Sequence, residues 1–431
     1  MLTNLKKMIL SLLCISMVIT MIQPKIIMAT EPEEVIVTED DSIKNESVIK
    51  YEDLTLREES SKTYVMSDGS YQKVMYSIPV HYEENDEWNE IDNTLIEDEV
   101  ATISDDEVNG YENNKAKQKI KFSKKTHKSN LASIQLDDYK IKWGIEADNK
   151  SEAKIIRNNE IIEDERLKVF KNINQNIIYE NIYDHIDLEY SFDSNTIKEN
   201  IILKEKTNIN EFIFNYKVDN LVLTLNDNQI EARDESSDEL VFTMPAPYMV
   251  DDNGEVSYDV TYELVQENDK KYQIIINADS EWINDDERAY PVVIDPVITT
   301  EQDKSNINTT FITSNKATTN HSNKLELLVG NESSEYGICR TLVKMTLPEL
   351  KRGDMIVDAQ LYIASYNKGF YSSSTPDLQV NAHMITSNWA YNSVTWNTQP
   401  TFGSTVLDLD LIKERILLEA PTGRYSISQM P

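Results

Sequence analysis

The sequence predicts an all-β protein, and three observations support this. Beyond residue 51, short segments alternate apolar and polar residues, as strands with one buried face do. Turn-forming dipeptides such as Asp68-Gly69 and Asn253-Gly254 separate these segments. After the first thirty residues, no stretch repeats apolar residues at the three- and four-residue steps of a long helix. The pattern therefore indicates a β-rich N-terminal module followed by a second β-rich module.

Individual strands follow from the same alternation. One face of a predicted strand carries every second residue from Val74: Val74, Tyr76, Ile78 and Val80. Pro79 makes this segment an edge strand or a strand end. Further strands of the first module are predicted at 140–143, 177–179, 188–192, 200–203, 212–216, 221–225 and 272–276. Those of the second module are predicted at 311–313, 325–330, 340–345, 356–364, 378–385 and 405–411. After residue 400 only 405–411 has the pattern of a strand, since 412–420 favours a short helix and 422–431 does not resemble a closing strand. Because a sandwich needs matched strands in both sheets, we expect the second domain to be truncated, with its last strands missing.

The first 29 residues have the layout of a secretory signal peptide. Lys6 and Lys7 precede an uncharged apolar run from Met8 to Ile22, and a polar segment follows. The run is shorter than the roughly 20 residues that span a bilayer, so we interpret it as cleaved and expect no membrane association afterwards. Cleavage after Ala29 leaves one cysteine, Cys339, and hence no intramolecular disulfide. The protein is expected to be secreted, either free or associated with the cell wall.

The charge divides the rest of the chain into modules. Of 75 acidic and 42 basic residues, residues 301–431 hold only 13 and 11, so the net charge of −33 lies almost entirely in residues 1–300. We predict a flexible acidic leader at 30–51, an acidic β-rich module at 52–296 and a second module at 297–431. Because a polyanion requires clustered cations, this acidity predicts that nucleic acid is not a partner.

Motifs that carry chemistry are scarce. The five histidines have no second His or Cys at metal-ligand spacing, and the chain lacks nucleophile-elbow and phosphate-loop motifs. Cys339 next to Ile338 is better interpreted as a small core residue than as a nucleophile paired with His321 or His383. An acidic turn at 251–255 offers oxygen ligands for calcium, but surface turns are commonly acidic. We predict no enzyme activity, no metal and no cofactor.

Aromatic residues are dense in the second module. Exposed aromatic faces stack on sugar rings, so such a set is typical of a carbohydrate-binding surface. Trp389 and Trp396 are better explained as core residues. Tyr366, Phe370 and Tyr371 lie in a Gly- and Ser-containing loop and are the candidate carbohydrate-binding residues.

Several segments together resemble a known family. WNEIDNTL (88–95), YENIYDHIDLEY (179–190), IKENIIL (197–203), MPAPYMVDDNG (244–254) and RAYPVVIDPVI (288–298) resemble, in order, exported bacterial proteins that carry DNRLRE domains. The segments LLVGN (327–331), CRTLVKMTLPEL (339–350), IVDAQLYI (356–363) and NWAYNSVTWNTQP (388–400) resemble the DNRLRE domain itself, also classed as carbohydrate-binding module family 96. The resemblance implies a jelly-roll-like β-sandwich for the second module, a surface-associated architecture that often precedes Rhs or wall-associated regions, and binding of acidic polysaccharide by some members.

Two functional hypotheses follow. In the first, the protein is a non-catalytic structural or delivery module, the N-terminal part of an Rhs-like or wall-associated protein. In the second, it binds a polysaccharide or cell-wall glycan through the C-terminal β-sandwich. Both hypotheses can hold for one chain.

We expect a mature chain beginning near Thr30 outside the cell, because the charged start and short apolar run are those of a cleaved signal. Mass spectrometry of the culture medium and of the membrane fraction tests this expectation. Finding residues 1–22 still attached in membranes would contradict it.

Overall fold

The computed structural model describes residues 15–22, 47–97, 108, 110–157, 162, 164–253, 255–300, 307–322, 327–332, 336–346, 354–363, 378–412 and 424–427. The first strands are β1 (Ile15–Ile22), β2 (Ile49–Glu52), β3 (Ser61–Met66), β4 (Tyr71–Tyr76), β5 (His81–Glu84), β6 (Glu87–Glu90), β7 (Asp92–Glu97), β8 (Gly110–Lys115), β9 (Lys119–Ser123), β10 (Ala132–Leu136), β11 (Tyr139–Ile145) and β12 (Ala153–Ile156).

The middle of the chain contains helix α1 (Val169–Ile173), then β13 (Gln175–Tyr183), β14 (Ile186–Phe192), β15 (Thr196–Leu203), β16 (Glu211–Asp219), β17 (Leu221–Asn226), β18 (Gln229–Asp234), β19 (Leu240–Met244), β20 (Met249–Val250), β21 (Val256–Ser257), β22 (Val260–Asn268) and β23 (Lys271–Ala278). After helix α2 (Ser280–Ile283) come β24 (Val292–Ile294), β25 (Val297–Thr300), β26 (Ile307–Thr313), β27 (Gly330–Glu332), β28 (Gly337–Met345), β29 (Met355–Ile363), β30 (Leu378–Ile385), β31 (Phe402–Ile412) and β32 (Arg424–Ile427). The prediction of an all-β, sandwich-type protein is confirmed.

Two large antiparallel sheets share one core. One has eight strands in the order β22-β23-β16-β11-β10-β9-β8-β7, and the other has eleven, built on β12-β13-β14-β15-β25-β19-β18-β17. Strand β16 shows why the chain folds this way: Phe212, Phe214 and Tyr216 are buried, while the residues between them are partly exposed. Because successive side chains of a strand point to opposite faces, this alternation buries one face of each sheet against the other.

Aromatic rings fill the centre of this sandwich. The rings of Trp143 and Tyr216 are stacked, with centroids 5.8 Å apart, and Phe122 lies 5.1 Å from the ring of Tyr190. Trp143 Nε1 donates a hydrogen bond of 3.1 Å to the hydroxyl of Tyr190, which in turn donates to Glu199. A carboxyl group is therefore held inside the aromatic core by hydrogen bonds.

A six-stranded sheet of order β2-β3-β4-β1-β29-β32 lies beside the sandwich. Tyr76 of β4 contacts Phe170 of α1 edge to face at 5.7 Å and donates a hydrogen bond of 2.8 Å to the carbonyl of Arg166. Strand β4 ends at Tyr76, before Pro79, as the sequence predicts. Strand β1 is the apolar run that the sequence assigns to the signal peptide, and the interpretation as a cleaved signal stays a prediction.

The second module begins with a three-stranded sheet, β26-β28-β27, and a two-stranded sheet, β30-β31. The predicted strand 325–330 differs from the structure: within the described residues 327–330, only Gly330 belongs to a strand. Leu327 and Leu328 instead pack on the buried cluster of Phe311 and Tyr336. Their apolar character reflects this packing and not a strand periodicity.

No helix in the described part of the chain is long and apolar enough to cross a membrane.

We expect the stability of the sandwich to fall as pH rises from about 4.5 to about 8. Burial raises the pKa of Glu199 from 4.5 to about 8, although hydrogen bonds from Tyr190 and Trp143 act in the opposite direction. Above pH 4.5 the unfolded chain releases this proton and the folded chain keeps it, so the unfolding free energy decreases until the folded pKa is passed. Chemical denaturation at a series of pH values measures the slope.

The variant Glu199→Gln is the control, since its amide is neutral at every pH in this range. Its slope should be shallower but not zero, because burial also raises the pKa of Glu189 to about 7 and of Asp193 to about 6. An unchanged slope in this variant would contradict the assignment to Glu199.

Candidate functional site

The three candidate carbohydrate-binding residues, Tyr366, Phe370 and Tyr371, lie outside the described residues. Their assignment as a binding site stays a prediction. The described part of the same module contains a different aromatic surface, which is built from four elements.

This surface, which we call the Arg340 patch, consists of Arg340, His383, Trp396 and Phe402. The guanidinium carbon of Arg340 lies 4.8 Å from the ring centroid of Trp396 and 5.5 Å from that of Phe402. The rings of His383 and Phe402 are 5.4 Å apart. The cation thus lies near two aromatic rings, within the distance at which cation–π attraction acts.

The four residues come from two separate sheets and a 3₁₀ turn. Arg340 of β28 pairs with Ile312 of β26, while His383 and Phe402 lie on the paired strands β30 and β31. Nδ1 of His383 lies 3.0 Å from the carbonyl oxygen of Gly403. Since a carbonyl only accepts, Nδ1 carries the proton and Nε2 is left as an acceptor.

The segment 388–400 holds Trp396 in place. It contains a 3₁₀ turn, Trp396–Thr398, and Asn397 N donates to the carbonyl of Ala317 at 3.0 Å. Arg340 Nη1 donates to the side-chain oxygen of Gln399, whose amide donates to the carbonyl of Trp396 at 2.9 Å. The guanidinium is therefore fixed by a hydrogen bond as well as by its two rings.

Exposure separates the aromatic residues into two kinds. Trp389 and Trp396 pack partly buried against Ile312, Leu342 and Val394, as expected of core tryptophans. Phe402 is 48% exposed, an unusual state for a phenylalanine. A half-exposed ring beside a cation offers both a stacking face and hydrogen-bond donors to a ligand.

The sequence does not single out this patch. Its four residues come from four separated segments, and Phe402 stands alone among polar neighbours in the sequence. The density of aromatic residues in the second module is the one signal in the sequence, and it favours the loop with Tyr366, Phe370 and Tyr371 instead of this patch.

A second cluster combines Glu52, His81 and Glu90, whose potential metal-ligating atoms lie within 4.8 Å of one another. Nδ1 of His81 is 2.7 Å from the carbonyl oxygen of Glu58, and burial lowers the pKa of this histidine. However, Arg57 already pairs with Glu52 at 2.7 Å and with Glu90 at 3.2 Å, and Lys62 contacts both carboxylates. Two carboxylates and two cations form an ion-pair network without net charge. A metal ion would have to compete with Arg57 and Lys62 for the carboxylates, so this cluster is better explained as structural.

The acidic turn at 251–255 is also engaged in the fold. Asp251 accepts hydrogen bonds of 2.9 Å from the backbone of Asn253 and Glu255, and it pairs with Arg288 at 3.0 Å. Such a carboxylate stabilises a turn, which favours the structural interpretation over calcium binding.

Cys339 lies buried against Phe311 and Tyr336, and its Sγ is 3.6 Å from the carbonyl oxygen of Gly337. These surroundings are those of a core residue.

Two sequence models match the chain. Residues 300–412 match carbohydrate-binding module family 96, and residues 93–297 match a domain of unknown function (DUF7948). The Arg340 patch lies entirely within the first of these matches.

Known relatives extend the comparison. The tRNA3(Ser)-specific nuclease WapA of Bacillus spizizenii and the tRNA nuclease WapA of Bacillus subtilis (strain 168) are each 27% identical to this chain over 366 residues. These alignments cover 80% of this chain, and the chain spans only 15% of the length of either relative. A "Wall-associated protein" of Geobacillus stearothermophilus is 25% identical over 199 residues, 46% of this chain and 73% of the relative.

These findings support a carbohydrate-binding or cell-surface role, and they correct one prediction. The prediction of no enzyme activity is contradicted, because relatives that align over 80% of the chain are named nucleases. The prediction that nucleic acid is excluded has no support either, since those nucleases are named for tRNA. The DNRLRE and Rhs parts of the resemblance stay predictions.

Proposed function

We propose that the protein acts at the cell surface and binds a polysaccharide through the Arg340 patch. One observation carries the proposal: Phe402 is half-exposed and lies beside the guanidinium of Arg340, within the residues that match carbohydrate-binding module family 96. The wall-associated relative supports the surface location.

The chemistry of the patch suits a sugar ring. The apolar face of a pyranose packs against an aromatic ring, as other flat apolar groups do, and its hydroxyl groups need hydrogen-bond partners at the rim. Arg340 has five N–H donors, of which one donates to Gln399 among the residues that the structure describes, and Nε2 of a neutral His383 is an acceptor. A guanidinium also pairs with carboxylates in two-pronged fashion, so the patch is compatible with an acidic sugar.

The variant Phe402→Ala should weaken binding to the preferred polysaccharide about fivefold, since an aromatic stacking contact contributes about 1 kcal/mol. The melting temperature should change little because the ring is half-exposed. Affinity electrophoresis against neutral and uronate-containing polysaccharides measures the effect. Val406→Ala is a matched control, because Val406 lies on the same strand and is 39% exposed.

A double variant, Phe370→Ala with Tyr371→Ala, distinguishes this surface from the loop that the sequence suggests. Loss of binding in the double variant but not in Phe402→Ala would place the site in the loop. Equal binding by all variants would contradict both surfaces.

A second candidate function is cleavage of tRNA. The observation in its favour is the alignment of 80% of this chain with relatives named tRNA nucleases, although this chain spans a small part of their length. The second module has nearly balanced charge, so it repels a polyanion such as tRNA far less than the acidic first module does.

We expect gel electrophoresis of total tRNA incubated with the purified chain to decide this second candidate. Fragments that accumulate with the native chain, and not with a heat-denatured sample, would support cleavage by this chain. Intact tRNA at high protein concentration would leave the activity to parts of the relatives beyond the aligned region.

A further inference from the structure

Two of the segments that carry the sequence resemblance meet in the structure. Lys198 belongs to IKENIIL and Asp295 to RAYPVVIDPVI. Their Nζ and Oδ2 atoms are 3.0 Å apart, and each side chain is only 6% exposed. Neither the carbohydrate-binding nor the nuclease proposal uses this buried pair.

The backbone fixes both partners. Strand β15 pairs with β24 at Ile201 and Ile294, and with β25 at Lys198 and Val297. Between these contacts, Glu199 N donates to the carbonyl of Pro296 at 2.8 Å. Lys198 therefore lies on β15 opposite the short link between β24 and β25 that contains Asp295, and strand register on both sides of this link brings the two side chains together.

The hydrogen bonds of Asp295 are unevenly divided between its two oxygens. Oδ2 accepts from Lys198 Nζ at 3.0 Å and from the hydroxyl of Tyr248 at 2.6 Å. Oδ1 is buried and accepts no hydrogen bond from the residues that the structure describes. The backbone also fixes the position of Tyr248 next to Asp295, because the carbonyl oxygen of Tyr248 accepts a hydrogen bond of 3.0 Å from Asp295 N.

Such an arrangement is costly for a permanent ion pair. Two charges taken out of water lose their hydration, and a charged oxygen without a donor adds to the cost. A proton passed along the hydrogen bond from Nζ of Lys198 to Oδ2 of Asp295 leaves an amine beside a carboxylic acid. A neutral amine is a nucleophile, and a neutral carboxylic acid is a better electrophile than a carboxylate.

We propose that Lys198 and Asp295 condense to an intramolecular amide. Nζ of Lys198 attacks Cγ of Asp295, one C–N bond forms and one C–O bond breaks. The departing oxygen leaves as water with two of the protons that the ammonium group carried, so no oxidant or other reactant is needed. The remaining oxygen keeps the hydrogen bond from Tyr248, and no unpaired carboxyl oxygen is left.

The position of the link suggests what it does. Lys198 and Asp295 are 97 residues apart, and β25, which follows Asp295, is the last strand of the sandwich along the chain. A covalent bond that closes a long loop restricts the unfolded chain, as a disulfide does. The link would therefore join the last part of the sandwich along the chain to strand β15, and it would need no cysteine.

Mass spectrometry of the purified chain tests the proposal. We expect an intact mass one water molecule below that of the sequence, and a branched peptide joining Lys198 to Asp295 after tryptic digestion. Lys198→Arg should have its full sequence mass and a lower melting temperature, because a guanidinium keeps the positive charge but is a poor nucleophile. Asp295→Ala should also have its full sequence mass. This second variant keeps the test valid if Lys198→Arg does not fold.

Lys204→Arg is the matched control. Lys204 pairs with Asp187 at 2.6 Å, but its side chain is 32% exposed, so water solvates the ammonium and the pair should stay ionic. This variant should still lack one water. A wild-type chain that keeps its full mass after days at neutral pH, with tryptic cleavage at Lys198, would overturn the proposal.

Discussion

The contact between the two large sheets at Trp143, Tyr190 and Glu199 constrains the rest of the sandwich. The Tyr190 hydroxyl accepts from Trp143 and donates to Glu199, so one oxygen fixes how β11 lies over β14 and β15. A slip of one residue in any of these strands would turn its member of the group to the outer face. Apolar burial drives the sheets together, and the hydrogen-bonded group selects one register among the alternatives.

Turn chemistry shows how so acidic a chain forms so many hairpins with only ten glycines. Asn85 and Asp86, between β5 and β6, both have positive φ, and so do Asp227 and Asn228, between β17 and β18. Two consecutive residues with positive φ form the turn that matches the twist of paired strands, and Asn and Asp tolerate it best after glycine. Part of the acidity is therefore located in turns, where a short polar side chain is useful. Glycine-containing dipeptides, the turn signals on which the prediction depends, do not mark these connections.

The fold could be predicted where its determinants are local. Alternation along residues 212–216 predicted β16, and Pro79 correctly marked the end of β4. Leu327 and Leu328 show the limit, because an apolar pair at the edge of a buried cluster has the same appearance in sequence as a strand. The Arg340 patch could not be predicted, since it forms where the sheet of β26 and β28 packs on the segment between β30 and β31 through Ile312, Leu342 and Val394. Lys198 and Asp295 are likewise joined only by strand register.

The same limit explains why motif and charge arguments failed to exclude an enzyme or a nucleic-acid partner. A motif search detects chemical groups that share a short segment, whereas an all-β chain assembles its sites from strands far apart in sequence. Net charge is likewise an average over the whole surface, whereas a ligand binds to one patch of that surface. Arg340 lies between Trp396 and Phe402 in the module with nearly balanced charge, so the strongly negative average of residues 1–300 says little about the potential there.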